Sequence, residues 1–191
     1  MSSHLIRSFV AVDVFSPEIV RGVRAIQQEL QEAGILGKPV DPETLHITLI
    51  FLGELDPPMV ERVRERLSGI EVRPMRLLLK GVGYFPGGSR VNVIWIGVED
   101  IDSGLMAVQR EVVSRLSELG FKPDKDFKPH ITILRVKGVR NKSEVLSRLS
   151  QLSSHTVGEV VVDRVKLKKS TLRPEGPIYE DLHVYGPTQS A

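Results

Sequence analysis

The chain of 191 residues contains no cysteine. Disulfide bonds and thiolate metal sites are therefore excluded. The chain also lacks any run of about 18 apolar residues, which a membrane-spanning helix requires, and its first residues lack the apolar core of a secretory signal. We therefore expect a cytoplasmic protein with no membrane partner.

Neither sign of charge is in large excess, because 24 Asp and Glu nearly balance 26 Lys and Arg and leave a net charge of +2. This excess is too small to indicate nucleic-acid binding by itself. One local exception is a basic stripe, in which Arg164, Lys166 and Lys168 alternate along a strand-like run with no acid between Asp163 and Glu175. Such a stripe can face a phosphate backbone or be the solvated face of an edge strand, and the sequence leaves both interpretations open.

Several motifs of catalysis are missing. No Walker-type Gly-x-x-x-x-Gly-Lys-Ser/Thr loop and no His-Glu-x-x-His pair occurs in the sequence. Two histidines without a neighbouring carboxylate would leave a metal short of ligands. We therefore expect neither a metal nor another cofactor.

The chain does contain one short pattern twice: His46-Ile-Thr-Leu and His130-Ile-Thr-Ile. Both copies lie in apolar, β-branched surroundings that predict strands, near 45–52 and 130–136. Side chains alternate along a strand, so each histidine shares a face with the threonine two residues later. The pattern predicts two imidazoles, each with a hydroxyl beside it.

The positions of the two histidines differ by 84 (130 − 46), and the same offset relates the order of elements around them. Helices are predicted from Ser16, after Asp56-Pro-Pro, from about Ser103 and near Ser143. Further strands are predicted at 7–14, 75–85, 91–98, 157–167 and 178–185. Strand, helix, His-x-Thr strand, helix and strand thus occur twice in order, which predicts two similar lobes.

We therefore expect an α+β fold and one domain over 1–191. Two pseudo-symmetric lobes, each an antiparallel-rich sheet with helices on its outer face, would enclose a central cleft. A twofold relation would place the two motif strands on opposite sides of that cleft.

Two imidazoles across a cleft suit a displacement at phosphorus. One neutral histidine can take a proton from the attacking group while the other, protonated, gives one to the leaving oxygen. Thr48 and Thr132 can each donate a hydrogen bond to a phosphate oxygen. The residues alone do not say which histidine has which role.

With these motifs the chain resembles the two-histidine (2H) phosphoesterases, in the branch of RNA 2′,3′-cyclic phosphodiesterases historically called 2′-5′ RNA ligases. Besides the two motifs, the resemblance covers nearly the whole chain in order. It includes the segments Arg7-Ser-Phe-Val-Ala-Val-Asp, Gly81-Val-Gly-Tyr-Phe-Pro, Val93-Ile-Trp-Ile-Gly-Val and Leu167-Lys-Lys-Ser-Thr-Leu, followed by Gly176 and Tyr179.

The resemblance implies hydrolysis of a terminal 2′,3′-cyclic phosphate on RNA to a 2′-phosphomonoester. It also implies that His46 is the proton donor and His130 the acceptor, and that Thr48, Thr132 and Arg135 contact the phosphate. Arg135 lies an odd number of positions beyond His130, so an unbroken strand would turn it to the other face. A β-bulge, or a reach from the strand end, is required.

Aromatic residues are further candidates for binding substrate. Phe9 and either Tyr84 or Phe85 can stack on the terminal base, although core packing is the more common role for a residue such as Phe9 inside an apolar strand. The expected partner is an RNA with a 2′,3′-cyclic phosphate end, with tRNA fragments among the candidates, and no obligate protein partner. Two alternatives stay open: 2′-5′ ligation without ATP by the same residues, and an RNA- or nucleotide-binding module without turnover.

Overall fold

The computed structural model describes residues 4–123 and 125–187. Over these residues the chain forms nine strands and four α-helices. In chain order they are β1 (Ile6–Asp13), α1 (Pro17–Glu32), β2 (Ile35–Pro39), β3 (His46–Leu55), α2 (Pro57–Leu67), β4 (Met75–Gly87), β5 (Arg90–Asp100), α3 (Gly104–Ser117), β6 (His130–Val139), α4 (Lys142–Gln151), β7 (Thr156–Val162), β8 (Val165–Thr171) and β9 (Ile178–Tyr185).

The strands form two antiparallel sheets, which confirms the predicted α+β fold. The smaller sheet has the order β3-β1-β8-β9, and the larger has the order β2-β6-β5-β4-β7. Without β2, the two orders match strand for strand, so β3 corresponds to β6 and β1 to β5. The two motif strands, β3 and β6, lie next to each other where the sheets meet.

The predicted helices begin where capping side chains satisfy their first amides. The Ser16 hydroxyl accepts from Ile19 N at 3.2 Å, and the Asp56 carboxylate accepts from Met59 N at 2.8 Å. For α3, however, Ser103 makes no capping bond. The carboxylate of Asp100 accepts instead from the amides of the first turn, at 2.8 Å from Met106 N.

Two strand predictions need correction. Residues 157–167 are not one strand, because β7 ends at Val162 and β8 begins at Val165 in the other sheet. No Gly or Pro marks this crossover, so the apolar alternation on either side looks continuous in the sequence. The edge strand β2, which contains Gly37 and Pro39, was not predicted, because both residues are uncommon in strands.

A β-bulge occurs at the same place in both motif strands. Between β1 and β3, Val10 pairs with Ile50 and Ala11 with Thr48, which leaves Leu49 as the extra residue. Between β5 and β6, the extra residue is Ile133, between the partners of Ile94 and Trp95. Leu49 and Ile133 are separated by the same offset as the two histidines. The internal repeat therefore includes the β-bulge.

Two lysines of the basic stripe form a closed network of four charges. Lys168 bonds Asp13 at 2.8 Å and Asp181 at 2.9 Å. Lys166 bonds the other oxygens of the same two carboxylates, at 2.7 and 2.6 Å. Because these ammonium groups are matched within the fold, the structure does not favour a phosphate-backbone role for Lys166 and Lys168. Arg164 lies at the crossover before β8, with Asp163 at 3.6 Å.

No helix among the described residues is both long and apolar enough to cross a membrane.

Replacing Lys168 by Met will destabilise the fold, because Asp13 and Asp181 then face each other with one cation fewer. The expected loss in the free energy of unfolding is about 2 kcal/mol, below the value for a fully buried pair, since both carboxylates are partly exposed. Urea denaturation at pH 7 measures it. Lys169→Met, which removes only the partner of the exposed Glu180, is the matched control with an expected loss of about 0.5 kcal/mol.

The difference in the free energy of unfolding between wild type and Lys168→Met will also depend on pH. Burial raises the pKa of Asp181, but the hydrogen bonds and charges of Lys166 and Lys168 outweigh it and hold the pKa below its ordinary value of 3.8. A depressed pKa gives stability that is present above 3.8 and lost as the pH falls through the folded value. The difference should therefore shrink below pH 3.8, and a constant difference down to pH 2 would contradict this assignment.

Candidate active site

The two motif histidines occupy the first positions of β3 and β6 and are held in the same way. His46 Nδ1 lies 3.1 Å from the carbonyl oxygen of Thr44, and His130 Nδ1 lies 2.7 Å from that of Lys128. A carbonyl only accepts, so each Nδ1 carries the hydrogen. Each Nε2 is then the atom that can accept a proton when the ring is neutral or release one when it is charged.

A cavity of about 110 Å³ lies between the two motifs. His46, Thr48, His130, Thr132 and Arg135 all line it. Val40, Leu45 and Tyr179 complete its wall. The structure thus brings both imidazoles, both hydroxyls and a guanidinium to one small space.

Arg135 reaches this cavity because of the bulge at Ile133. The extra residue reverses the alternation, so Arg135 returns to the face of His130 and Thr132. The carbonyl oxygen of Ile133 accepts hydrogen bonds from Gln27 Nε2 at 2.7 Å and from Val40 N at 2.9 Å. Gln27 is buried, so helix α1 fixes the bulge from behind.

The corresponding bulge in β3 turns Phe51 toward the cleft. Phe51 is 46% exposed and stands at the position equivalent to Arg135 (135 − 51 = 84). Phe51 was not among the predicted site residues, although the offset of the repeat, applied to Arg135, points to it.

The surroundings of His46 lower its pKa from the ordinary value of 6.5. Burial is the largest cause, and the bond to the Thr44 carbonyl opposes it. The charge of Lys168 lowers the pKa further, Asp13 raises it, and Arg135 lowers it. Asp13 is the cross-strand partner of His46, a neighbour that the sequence does not reveal. The position equivalent to Asp13, opposite His130, is Gly97.

Aromatic rings surround both histidines. The rings of Phe9 and Tyr179 lie 5.2 and 4.7 Å from that of His46. Those of Phe85 and Trp95 lie 5.8 and 6.2 Å from that of His130.

The aromatic candidates differ in how much of each ring faces the cleft. Phe9 is 3% exposed and packs beside His46 rather than offering an open face to a base. Tyr84 packs against the core, and its hydroxyl donates to the Gly88 carbonyl at 3.0 Å. Strand alternation turns Phe85, the other candidate, into the cleft. Tyr179, which the resemblance includes without a role at the site, lines the central cavity.

Among the larger cavities beside the central one, the two that contain a motif histidine differ in chemistry. The cavity on the His46 side, about 460 Å³, is lined by three arginines, Arg7, Arg135 and Arg173. The cavity on the His130 side, about 800 Å³, is lined mainly by apolar and aromatic residues, including Phe51, Phe85 and Phe127.

The described part of the chain contains no cluster of potential metal ligands. Within residues 4–123 and 125–187, no group of three or more His, Cys, Asp or Glu side chains is placed to hold a metal ion.

Comparison with known proteins identifies the family. The model of the family described as LigT like Phosphoesterase matches twice, at residues 12–95 and 96–179. The starts of the two matches differ by the same offset as the two histidines (96 − 12 = 130 − 46). The family model therefore contains one copy of the repeat.

Individual relatives agree with this match. The chain is 44% identical over 180 residues to the RNA 2′,3′-cyclic phosphodiesterase of Archaeoglobus fulgidus, covering 94% of this chain and 99% of that one. The crystal structure of TT0787 of Thermus thermophilus is similar with a TM-score of 0.76 and 29% identity, covering 95% and 97% of the two chains. E. coli LigT complexed with 3′-AMP is similar with a TM-score of 0.72 and 25% identity, covering 97% and 99%.

The family model covers most of the chain, and the relative from Archaeoglobus fulgidus is 44% identical over nearly its full length. The resemblance drawn from the two motifs is thus confirmed, and the chain belongs to the LigT-like phosphoesterase family.

Proposed function

We propose that this protein is an RNA 2′,3′-cyclic phosphodiesterase that hydrolyses the cyclic phosphate to a 2′-phosphomonoester without a metal ion. One observation carries the proposal. Two histidines on equivalent strands, each with Nδ1 bonded to the carbonyl two residues before it, line one cavity of about 110 Å³ with two threonines and an arginine. The name of the relative from Archaeoglobus fulgidus supports the choice of substrate.

Each histidine moves one proton in the proposed reaction. His130 Nε2 takes a proton from a water molecule, whose oxygen attacks phosphorus. The bond between phosphorus and the 3′ oxygen breaks, and that oxygen takes the proton from His46 Nε2. The products are a 2′-phosphomonoester and a free 3′-hydroxyl, and exchange with solvent restores the starting protonation of both rings.

The other residues of the cavity stabilise charge in this scheme. The hydroxyls of Thr48 and Thr132 donate to the non-bridging phosphate oxygens, on which negative charge builds in the transition state. The Arg135 guanidinium adds a fixed positive charge with several donors. None of these groups has to move a proton, so their contribution depends on position alone.

The assignment of His46 as the donor agrees with its surroundings. Burial and Lys168 lower its pKa, and a lower pKa makes the imidazolium a stronger acid toward the leaving oxygen. The negative phosphate of a bound substrate favours the charged ring, since an opposite charge nearby raises the pKa of a histidine. Protonation is thus coupled to binding.

Replacing His46 or His130 by Ala will lower kcat/KM for an RNA with a 2′,3′-cyclic phosphate end by about 10²- to 10⁴-fold, because each removes a proton-transfer group. Thr48→Val will lower it by about 10²-fold through the loss of one donor to the developing charge. His155→Ala and Thr156→Val, both exposed and outside the cavity, are the matched controls. Turnover close to wild type in either cavity-histidine variant would refute the mechanism.

The same assay tests the metal and the leaving group. Activity should persist in EDTA. The product should carry its phosphate on the 2′ oxygen, and phosphorus NMR distinguishes this product from a 3′-phosphate. Loss of activity in EDTA that Mg²⁺, Mn²⁺ or Zn²⁺ restores would overturn the metal-free proposal. A 3′-phosphate product would mean that the other oxygen leaves.

Replacing Lys168 by Met will raise the pKa of His46, because a cation that opposes protonation is lost while Asp13 remains. In the wild type the ring should titrate below 6.5, followed by NMR of the imidazole signals and assigned by their absence in His46→Ala. Lys169→Met should leave the titration where it is. An unchanged or lower pKa of His46 in Lys168→Met would contradict the electrostatic role given to Lys168.

A further inference from the structure

The cavity on the His46 side contains more positive charge than one phosphate requires. Arg7 comes from β1, Arg135 from β6 and Arg173 from the segment between β8 and β9. None of the three forms an ion pair with a carboxylate of the described residues, and no carboxylate of those residues lines this cavity. Other basic groups, such as Lys166 and Lys168, have acidic partners.

Arg7 is held in place without being neutralised. Its guanidinium lies 4.6 Å from the centre of the Phe51 ring, a cation–π contact. An aromatic ring takes no hydrogen from the edge of the guanidinium, so the donors of Arg7 stay available for an anion. Arg173 is exposed and faces the same cavity.

The direction of the proposed reaction determines which part of the RNA substrate binds in this cavity. If His46 protonates the leaving 3′ oxygen, the terminal ribose lies on the His46 side, and the attacking water enters on the His130 side. In an RNA the 5′ carbon of that ribose carries the phosphodiester that joins it to the preceding nucleotide. In this scheme Arg135 and the two threonines of the central cavity bind the cyclic phosphate. Arg7 and Arg173 therefore remain available to bind the second phosphate.

We propose that the His46-side cavity is the subsite for the terminal nucleoside and the phosphodiester before it, with Arg7 and Arg173 as the residues that bind this second phosphate. This inference rests on the proposed function. This subsite makes the enzyme selective for a cyclic phosphate at the end of an oligonucleotide over a free nucleoside 2′,3′-cyclic phosphate.

The test compares uridine 2′,3′-cyclic phosphate with the dinucleotide UpU that ends in the same cyclic phosphate. Wild type should hydrolyse the dinucleotide with a kcat/KM about tenfold higher, mainly through a lower KM, since a charge-assisted contact to phosphate is worth about one such factor. Arg7→Gln and Arg173→Gln should each reduce this ratio severalfold. Arg21→Gln, an exposed arginine on α1 outside the cavity, should keep both the ratio and the activity of wild type.

Salt provides a second readout that a structural defect would not imitate. The KM of the dinucleotide should rise more steeply with salt than that of the mononucleotide, and Arg7→Gln should bring the two slopes together. Equal KM values for the two substrates in wild type would overturn the inference while the proposed function stands. An unchanged ratio in either arginine variant would remove that residue from the subsite. If neither substrate is hydrolysed, the proposed function fails and the inference falls with it.

Discussion

The site depends on a β-bulge that lies at the equivalent position of each motif strand. In an unbroken strand, a residue an odd number of positions after the histidine points away from it. The extra residues Leu49 and Ile133 reverse this alternation, so Phe51 and Arg135 share a face with the histidines. Gln27 holds the carbonyl of Ile133 from helix α1. The β-bulge therefore places a guanidinium beside two imidazoles, and helix α1 behind it holds the bulge in position.

The twofold repeat supplies equivalent positions, and the residues at those positions make the two halves chemically different. His46 faces Asp13 across the strand pair, whereas His130 faces Gly97. Burial and Lys168 lower the pKa of His46. In the proposed reaction these two like residues take unlike roles, because a displacement at phosphorus needs an acid on one side and a base on the other. The cavities on the two sides differ as well: three arginines line the one beside His46, and mainly apolar and aromatic side chains line the one beside His130.

Basic residues of this chain divide into two groups that composition cannot separate. Lys166 and Lys168 are matched by Asp13 and Asp181 inside the fold. These four residues lie on three different strands, and Asp13 is far from Lys168 along the chain, so the alternating stripe in the sequence does not reveal the acidic partners. The arginines of the cleft lack such acidic partners among the described residues. Only the pairing of strands decides which cation balances a carboxylate and which lines the cleft without an acidic partner.

The order of amino acids was enough to predict the repeat, the capped helices and the two His-x-Thr strands, because spacing, periodicity and capping residues are local properties of the chain. With Arg135 placed at the phosphate by the family resemblance, its odd spacing from His130 called for either a bulge or a reach from the strand end, and the structure shows the bulge. The crossover between β7 and β8, the edge strand β2, and the positions of Phe51 and Tyr179 in the cleft were decided by the tertiary structure. Those features follow from which strands pair and where two sheets meet. Such contacts join residues far apart in the chain, and no local preference of the backbone encodes them.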